Sequence, residues 1–465
     1  MRMPTTVVAA KREYRLTMPV DLSPAGPPRA YPTNQPRLVP WLIGWALYNG
    51  IGSAVALLLW PAGTPASGPW FWFCVVGIPN GLFFITLGIA RAGYEALWFR
   101  AHYWNMHRRK WLTSRVRYAQ QPLQVLGVGY CLPLDGKELA KALAGTTSVM
   151  KAQAPRSGTG TVVHGRFADD DPLLAEPSET APPSADEEAM SDVATQEPTD
   201  APVLIHEEVP PVVRMLAQTL DTLGPSLHAL SQYGPTYAPA VRVLASAETA
   251  NTRVEQVRHA LQVAGLPALE CLAAPASDGL MVADAWLDAG EKRPLLVIAA
   301  EWHEALPSVG STEGSIAVLL GPGVFVLPEP VKVVATLHRP VAGELTVLAD
   351  ILANAVLWGK ADAPAIHPAW ISGLEDSHET DLLAALKNAS LTGVTELESQ
   401  RRADSLIGRA GAAGGWLSIA AAVEAATTGP HLILHTPQHT QTAQAAILYV
   451  SPAMDLTPPH DESSE

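Results

Sequence analysis

Residues 277–301, SDGLMVADAWLDAGEKRPLLVIAAE, decide the fold. A helical period runs from Asp278 to Gly290, where the glycine stops it. Residues 294–300 then follow without a polar side chain, which predicts a strand buried on both faces. A helix leading at once into such a strand is the building unit of a layered α/β protein. The pattern continues in both directions. Upstream, 241–245 reads as a strand, 251–264 as a helix, and 212–223 as an amphipathic helix stopped by Gly224 and Pro225. Further back, 123–129 reads as a buried strand, followed by a turn at 133–136 and a helix through about Ala144. Downstream, 316–320 and 331–337 look like a strand pair. Helices are expected at 344–357, 380–389 and 411–426, and paired strands at 432–435 and 445–450 close the chain. Alternation of this kind predicts a buried mixed sheet.

Composition narrows the function. The chain has 465 residues and a net charge of −14, and an acidic protein is a poor partner for nucleic acid, whose phosphates need a basic face. The three cysteines, Cys74, Cys131 and Cys271, show no metal-ligand or disulfide spacing. Gly158-Thr159-Gly160-Thr161 lacks the lysine of a phosphate loop and reads as a flexible turn. His435 and His439 are four apart, but Pro437 lies between them and strands flank them, so no metal is expected there. No cofactor is expected either. The segment 166–205 is acidic, rich in Pro, Ala and Ser, and free of Lys and Arg after Arg166; it predicts a disordered insert. A short acidic tail, 456–465, ends the chain.

The N-terminal part is of another kind. Residues 38–60, LVPWLIGWALYNGIGSAVALLLW, and 70–90, WFWFCVVGIPNGLFFITLGIA, contain no charge, and each is long enough to cross a hydrocarbon core of about 30 Å. The link 61–69 is small and Pro/Gly-rich, as a turn between antiparallel helices should be. Trp41, Trp60, Trp70 and Trp72 stand at the span ends, where indoles favour the interface. The juxtamembrane segment 91–120 carries Arg91, Arg100, Arg108, Arg109, Lys110, Arg115 and Arg117 against a single acid, Glu95. The tail 1–37 is basic too, and the link has no cation. The positive-inside rule therefore predicts both ends in the cytoplasm, with a small external turn. The basic, Trp-rich stretch either sets topology alone or also lies along an anionic surface.

Five segments of 121–455, in order, resemble the thiolase-like condensing enzymes (β-ketoacyl synthases). VLGVGYCLPLDGKELAKALAGT (125–146) is similar to their opening strand, turn and helix. Residues 277–301 resemble the nucleophile helix and the strand after it. STEGSIAVLLG (311–321) resembles their Gly-Glu-Gly-Ala strand through Glu313, Gly314 and Ala317. LIGRAGAAGGWLSIAAAVEA (406–425) resembles their Gly-His helix, and TAQAAILYVSP (442–452) their last strand. The resemblance implies a five-layered αβαβα fold with two related halves, behind an N-terminal two-helix transmembrane hairpin. It leaves open a homodimer, which thiolase relatives commonly form.

The chemistry of that family needs a thiolate at a helix N-terminus and two imidazoles at the reacting carbonyl. Counting back from Gly290 puts the nucleophile near Ala273, where 272–276 offers none; Cys271 lies two residues short. Arg409 stands where the second imidazole would be, and arginine is no base near pH 7. His367 lies only loosely upstream of Asp376 and Glu379, and 437–440 replaces the glycine-rich loop. The expectation is a pseudoenzyme. Two spans before such a domain also resemble the lipase adaptors of bacterial type VI secretion. That resemblance implies a non-catalytic adaptor anchored in a bacterial inner membrane, whose partners are a phospholipase effector and the VgrG spike protein. The alternative is a divergent membrane-bound acyl-thioester condensing enzyme using Cys271.

Overall fold

The computed structural model describes residues 22–33, 37–168, 171, 209–323 and 326–451. The expected acidic insert 166–205 falls almost wholly outside them, as do the first 21 residues of the N-terminal tail and the tail 456–465. The described residues form two units, one ending at Tyr118 and one starting at Ala119.

The first unit is a helical hairpin. It comprises α1 (Leu38–Leu58), then α2 (Pro69–Trp72), which leads through a π-turn (Phe73–Gly77) into α3 (Ile78–Ala119). Both arms are long and apolar enough to cross a membrane. Leu42, Ile43, Leu57, Phe84 and Ile89 are exposed, an arrangement water does not favour. Pro79 accounts for the π-turn, because it lacks the N–H that would serve the Val75 carbonyl four residues back. The Ser53 hydroxyl of α1 donates to that carbonyl at 2.9 Å. Gly52 admits the proline ring, since a Cβ there would lie 2.6 Å from Pro79 Cγ. Across the hairpin Asn80 Nδ2 donates to Asn49 Oδ1 at 2.7 Å, and Trp45 donates to Asn80 Oδ1 at 2.8 Å. Residues 22–33 lie back along α3: the Arg29 N–H donates to Asn105 Oδ1 at 2.9 Å and its guanidinium covers Trp104. The segment before α1 and the basic part of α3 thus share one end of the hairpin. The sequence suggests a separate juxtamembrane piece after Ala90, but α3 runs on unbroken to Ala119. Residues 91–119 hold no proline, and Gly93 alone does not stop a helix.

The second unit repeats one plan twice. Its first half contains β1 (Leu123–Cys131), α4 (Leu139–Ala144), the hairpin β2 (Lys151–Gln153) and β3 (Val162–His164), α5 (Pro211–Asp221), α6 (Gly224–Gln232), β4 (Ala240–Ala245), α7 (Ala250–Val263), β5 (Glu270–Pro275), α8 (Met281–Asp288), β6 (Leu295–Glu301) and β7 (Gly314–Pro322). Its second half contains β8 (Ala335–Leu337), β9 (Val341–Glu344), α9 (Leu348–Gly359), β10 (Ala369–Ser372), α10 (Glu379–Asn388), β11 (Gln400–Arg402), α11 (Ala403–Leu406), α12 (Gly414–Glu424), β12 (Gly429–His435) and β13 (Thr442–Val450). The strands run in the order β5-β4-β6-β7-β1, then β8-β13-β12-β10-β11, with β9 on β13. In each half three parallel strands are followed by an antiparallel one and then by the strand that opened the half.

Strand alternation sorts the core into layers. Val297 and Val318 face one way, into a cluster with Ala283, Trp286, Trp416, Leu417 and Leu448. Leu296 and Leu319 face the other way, onto Leu216, Leu220 and Val257 of α5 and α7. α8 and α12 therefore lie between the two halves, while α9 covers the far side of β13 and α10 packs on α9. This is the expected αβαβα order. The expected strand pair 316–320 with 331–337 is corrected, because β7 and β8 each pair with β1, which lies between them. Both are antiparallel to the same strand, and sequence alone does not name the partner.

Candidate functional site

In layered α/β proteins, chemistry gathers where strands end and helices begin. Here the turn from β5 into α8 meets residues from β13 and α12. The residues between β5 and α8 are Ala276-Ser277-Asp278-Gly279-Leu280, and the Leu280 N–H points out of the helix start. That N–H is not free. Gln444 of β13, fully buried, accepts it on Oε1 at 2.8 Å, and its Nε2 donates to the Ser277 and Asp278 carbonyls at 3.1 Å each. Trp416 of α12 donates its indole N–H to the Gly279 carbonyl at 3.2 Å. Gly279 has φ +46°, and a Cβ there would sit 2.6 Å from Gln444 Oε1, so glycine is required both for the turn and for the side chain filling it.

The expected nucleophile position is corrected by this geometry. Ala273 is in the middle of β5, and α8 starts at Met281. Cys271 is in the same strand and faces the outer helices among Val257 and Leu296. Its thiol contacts the Leu269 carbonyl at 3.5 Å, and burial pushes its pKa up, against the lowering effect of Arg258. It is a small core side chain, with no helix N-terminus beneath it. Cys131 is similar, its thiol pushed up to about 12 by burial.

A second polar group lies where β10 and β12 end. Ser372 Oγ and His435 Nδ1 are 3.0 Å apart, and Ser418 of α12 donates to Ser372 at 3.4 Å. Burial pushes the His435 imidazole down to about 4, so it is neutral at pH 7. Asp404 accepts the Gly373 N–H at 2.6 Å, and desolvation raises its carboxyl to about 6. Ser372, Ser418 and His435 are each no more than 2% exposed, so the hydroxyl is shut off from solvent. The Gly414-Gly415 pair opening α12 is the only sequence sign of this cluster: a Cβ on Gly415 would come within 2.9 Å of the His435 ring.

The remaining expected residues are spread apart. Arg409 is exposed and donates to the Val309 carbonyl at 2.8 Å. His367 precedes β10, at the opposite end of the strand from Ser372, while Asp376 follows it. His435 points inward and His439 is exposed in the β12–β13 turn. Glu313 is fully buried, held by Arg156 through bonds of 3.0 and 2.8 Å and by the Phe167 N–H at 3.2 Å. Arg156 also lies over the Trp302 ring at 4.2 Å. Glu313 anchors the β2–β3 hairpin; the glycine-rich 158–161 is the turn of that hairpin. Of the basic cluster, Arg91, Arg100, Arg109, Lys110, Arg115 and Arg117 are exposed on α3, with Arg91 paired to Glu95 at 2.8 Å, whereas Arg108 donates to the Gly26 carbonyl.

No family model matches the sequence, and no curated protein does either. Solved structures do match in shape. The ketosynthase from module 6 of the bacillaene synthase of Bacillus subtilis 168 superposes with a TM-score of 0.50 at 12% identity, covering 72% of this chain and 71% of that one. The ketosynthase from module 1 of the bacillaene synthase of Bacillus amyloliquefaciens FZB42 gives 0.47 at 13% identity, over 72% and 77%. The 3-oxoacyl-[acyl-carrier-protein] synthase III of Aquifex aeolicus VF5 gives 0.41 at 12%, over 70% and 99%. The second unit has the mixed α/β fold of the thiolase-like ketosynthases. At such identity the likeness speaks of fold alone.

Proposed function

We propose that this protein is a non-catalytic adaptor, anchored in a bacterial inner membrane by α1 and the apolar part of α2–α3, whose thiolase-like unit binds another protein. The observation that carries the reading is the filled start of α8. Gln444 and Trp416 take up the hydrogen-bonding groups that a ketosynthase-like centre would turn toward substrate, and 276–280 brings no thiol. The exposed apolar surface of the hairpin and the basic flank 91–117 support the anchor, with both ends cytoplasmic. The arrangement of spans and domain supports a place in type VI secretion, with a phospholipase effector as cargo and the VgrG spike as its destination.

The test is affinity capture of the full-length tagged protein from detergent-solubilised membranes of its native host, with bound proteins identified by mass spectrometry. Recovery of a lipase together with a spike protein supports the adaptor. Recovery of an acyl carrier protein without either overturns it in favour of acyl chemistry.

A further inference from the structure

Residues 26–32, GPPRAYP, hold three prolines, each of which fixes φ and removes a backbone donor, so the segment favours an extended course with its carbonyls left to outside partners. Those partners are on one face of α3. Asn105, only 8% exposed, turns both ends of its amide to the Arg29 backbone: it accepts that N–H at 2.9 Å and donates to that carbonyl at 2.8 Å. Arg108 donates to the Gly26 carbonyl at 2.8 Å, and Trp104 to the Pro27 carbonyl at 3.4 Å. The Arg29 guanidinium lies 4.4 Å from the centre of the Trp104 ring. Tyr31 meets the Trp98 ring, and its hydroxyl lies 3.4 Å from His102 Nδ1. A side-chain amide on a backbone amide, a cation on an indole and a ring on a ring are the means by which a protein face recognises an extended, proline-rich peptide. The face starts about 12 Å past Ala90 along α3, beyond the apolar run. The strap is held loosely. Residues 27–31 are all exposed, so they bury little apolar surface. Its few surface hydrogen bonds and single cation–π contact are offset by the cost of ordering its backbone, which is of similar size. Arg29 and Arg108 also bring like charge to the same contact.

We propose that this face of α3 is a docking site for an extended, proline-rich segment of a partner protein, one that brings a cation to Trp104 and an aromatic ring to Trp98, and that residues 26–31 hold it shut in cis. The partner's segment displaces the strap, because Asn105 and Trp104 serve one chain at a time. The site belongs to the first unit and is independent of what the thiolase-like unit binds.

The probe is a fluorescent peptide of residues 23–33, added to the full-length protein in micelles and followed by anisotropy. It should bind wild type weakly, against the competing strap. Arg29→Ala together with Tyr31→Ala frees the face and should tighten binding about fivefold to tenfold, since apparent affinity scales with the fraction of free sites. Adding Asn105→Leu to that variant should weaken binding by at least about tenfold, with helicity by circular dichroism unchanged. Absence of binding to the freed variant, or binding that ignores Asn105→Leu, would overturn the proposal. A last arm places p-benzoylphenylalanine at position 31 of the full-length chain and irradiates it. Adducts to α3 within one chain support the cis strap, whereas cross-linked dimers would assign the face to a second copy and overturn the partner reading.

Discussion

Replacing Gln444 tests whether the start of α8 is held shut. Its three hydrogen bonds are made by one buried side chain, and their removal has unequal costs. The Leu280 N–H is wholly enclosed, so losing its acceptor leaves a buried donor unpaired, at about 1–3 kcal/mol. Ser277 is exposed and Asp278 partly so, and their carbonyls can turn to water, which limits each of those losses to about 0.5–1 kcal/mol. Gln444→Met keeps most of the volume and removes all three bonds, so it should cost about 2–5 kcal/mol, a large part of a domain's typical 5–15. Gln444→Ala adds a cavity and should cost more. Urea unfolding of the full-length protein in micelles, followed by tryptophan fluorescence, reads both; Trp416, one of the thirteen tryptophans, is bonded to the same turn. If Gln444→Met lies within about 0.5 kcal/mol of wild type, the side chain does not hold this turn and the reasoning fails.

Arg156→Met should destabilise the second unit by about 3–5 kcal/mol, because it leaves the Glu313 carboxylate buried without its cation; equilibrium unfolding checks this, and wild-type stability would refute it. Gly415→Ala drives a Cβ into the His435 ring and should cost about 1–3 kcal/mol by the same assay. Acid should weaken the fold. The imidazoles of His338 and His435, both pushed down to about 4 by burial, take up protons in the unfolded chain from about pH 6.5 downward. Each therefore removes about 1.4 kcal/mol per pH unit between those limits. Asp404, raised to about 6, acts in the opposite sense from there down to about 4, so the net slope there is about one proton's worth. Unfolding curves between pH 7 and 4.5 measure it, and flat stability would contradict the neutral buried imidazoles. Asn80→Leu removes the polar link between the hairpin arms and should lower its thermal stability in micelles by about 0.6–2 kcal/mol, read by circular dichroism.

Much of this architecture is legible in the chain. Residues 294–300 and 316–320 are apolar on both faces because helices cover both sides of β6 and β7, and that burial leaves a mark sequence cannot hide. α12 is legible for a related reason: buried from Gly414 to Ala422, it carries small side chains at Gly414, Gly415, Ser418 and 420–422 around Trp416, Leu417 and Ile419. β10 and β11 are not legible, being four and three residues long, too short for any period to show. β5 escapes as well: its edge position leaves Leu272 and Ala273 exposed, so alternation is lost and it passes for a loop. The candidate site draws Gln444, Trp416, Ser372 and Gly279 from distant parts of the chain. No local pattern joins them, and counting along one helix misplaces the nucleophile position by the length of an unseen strand end.

The central claim, that the thiolase-like unit binds without catalysing, is tested most directly by incubating the purified full-length protein with malonyl- and acyl-thioesters on both coenzyme A and acyl carrier protein. Released thiol and condensed product are then measured against a protein-free blank. The account predicts no turnover above the blank and no acyl adduct on Cys271. Turnover that disappears in Cys271→Ala would contradict it.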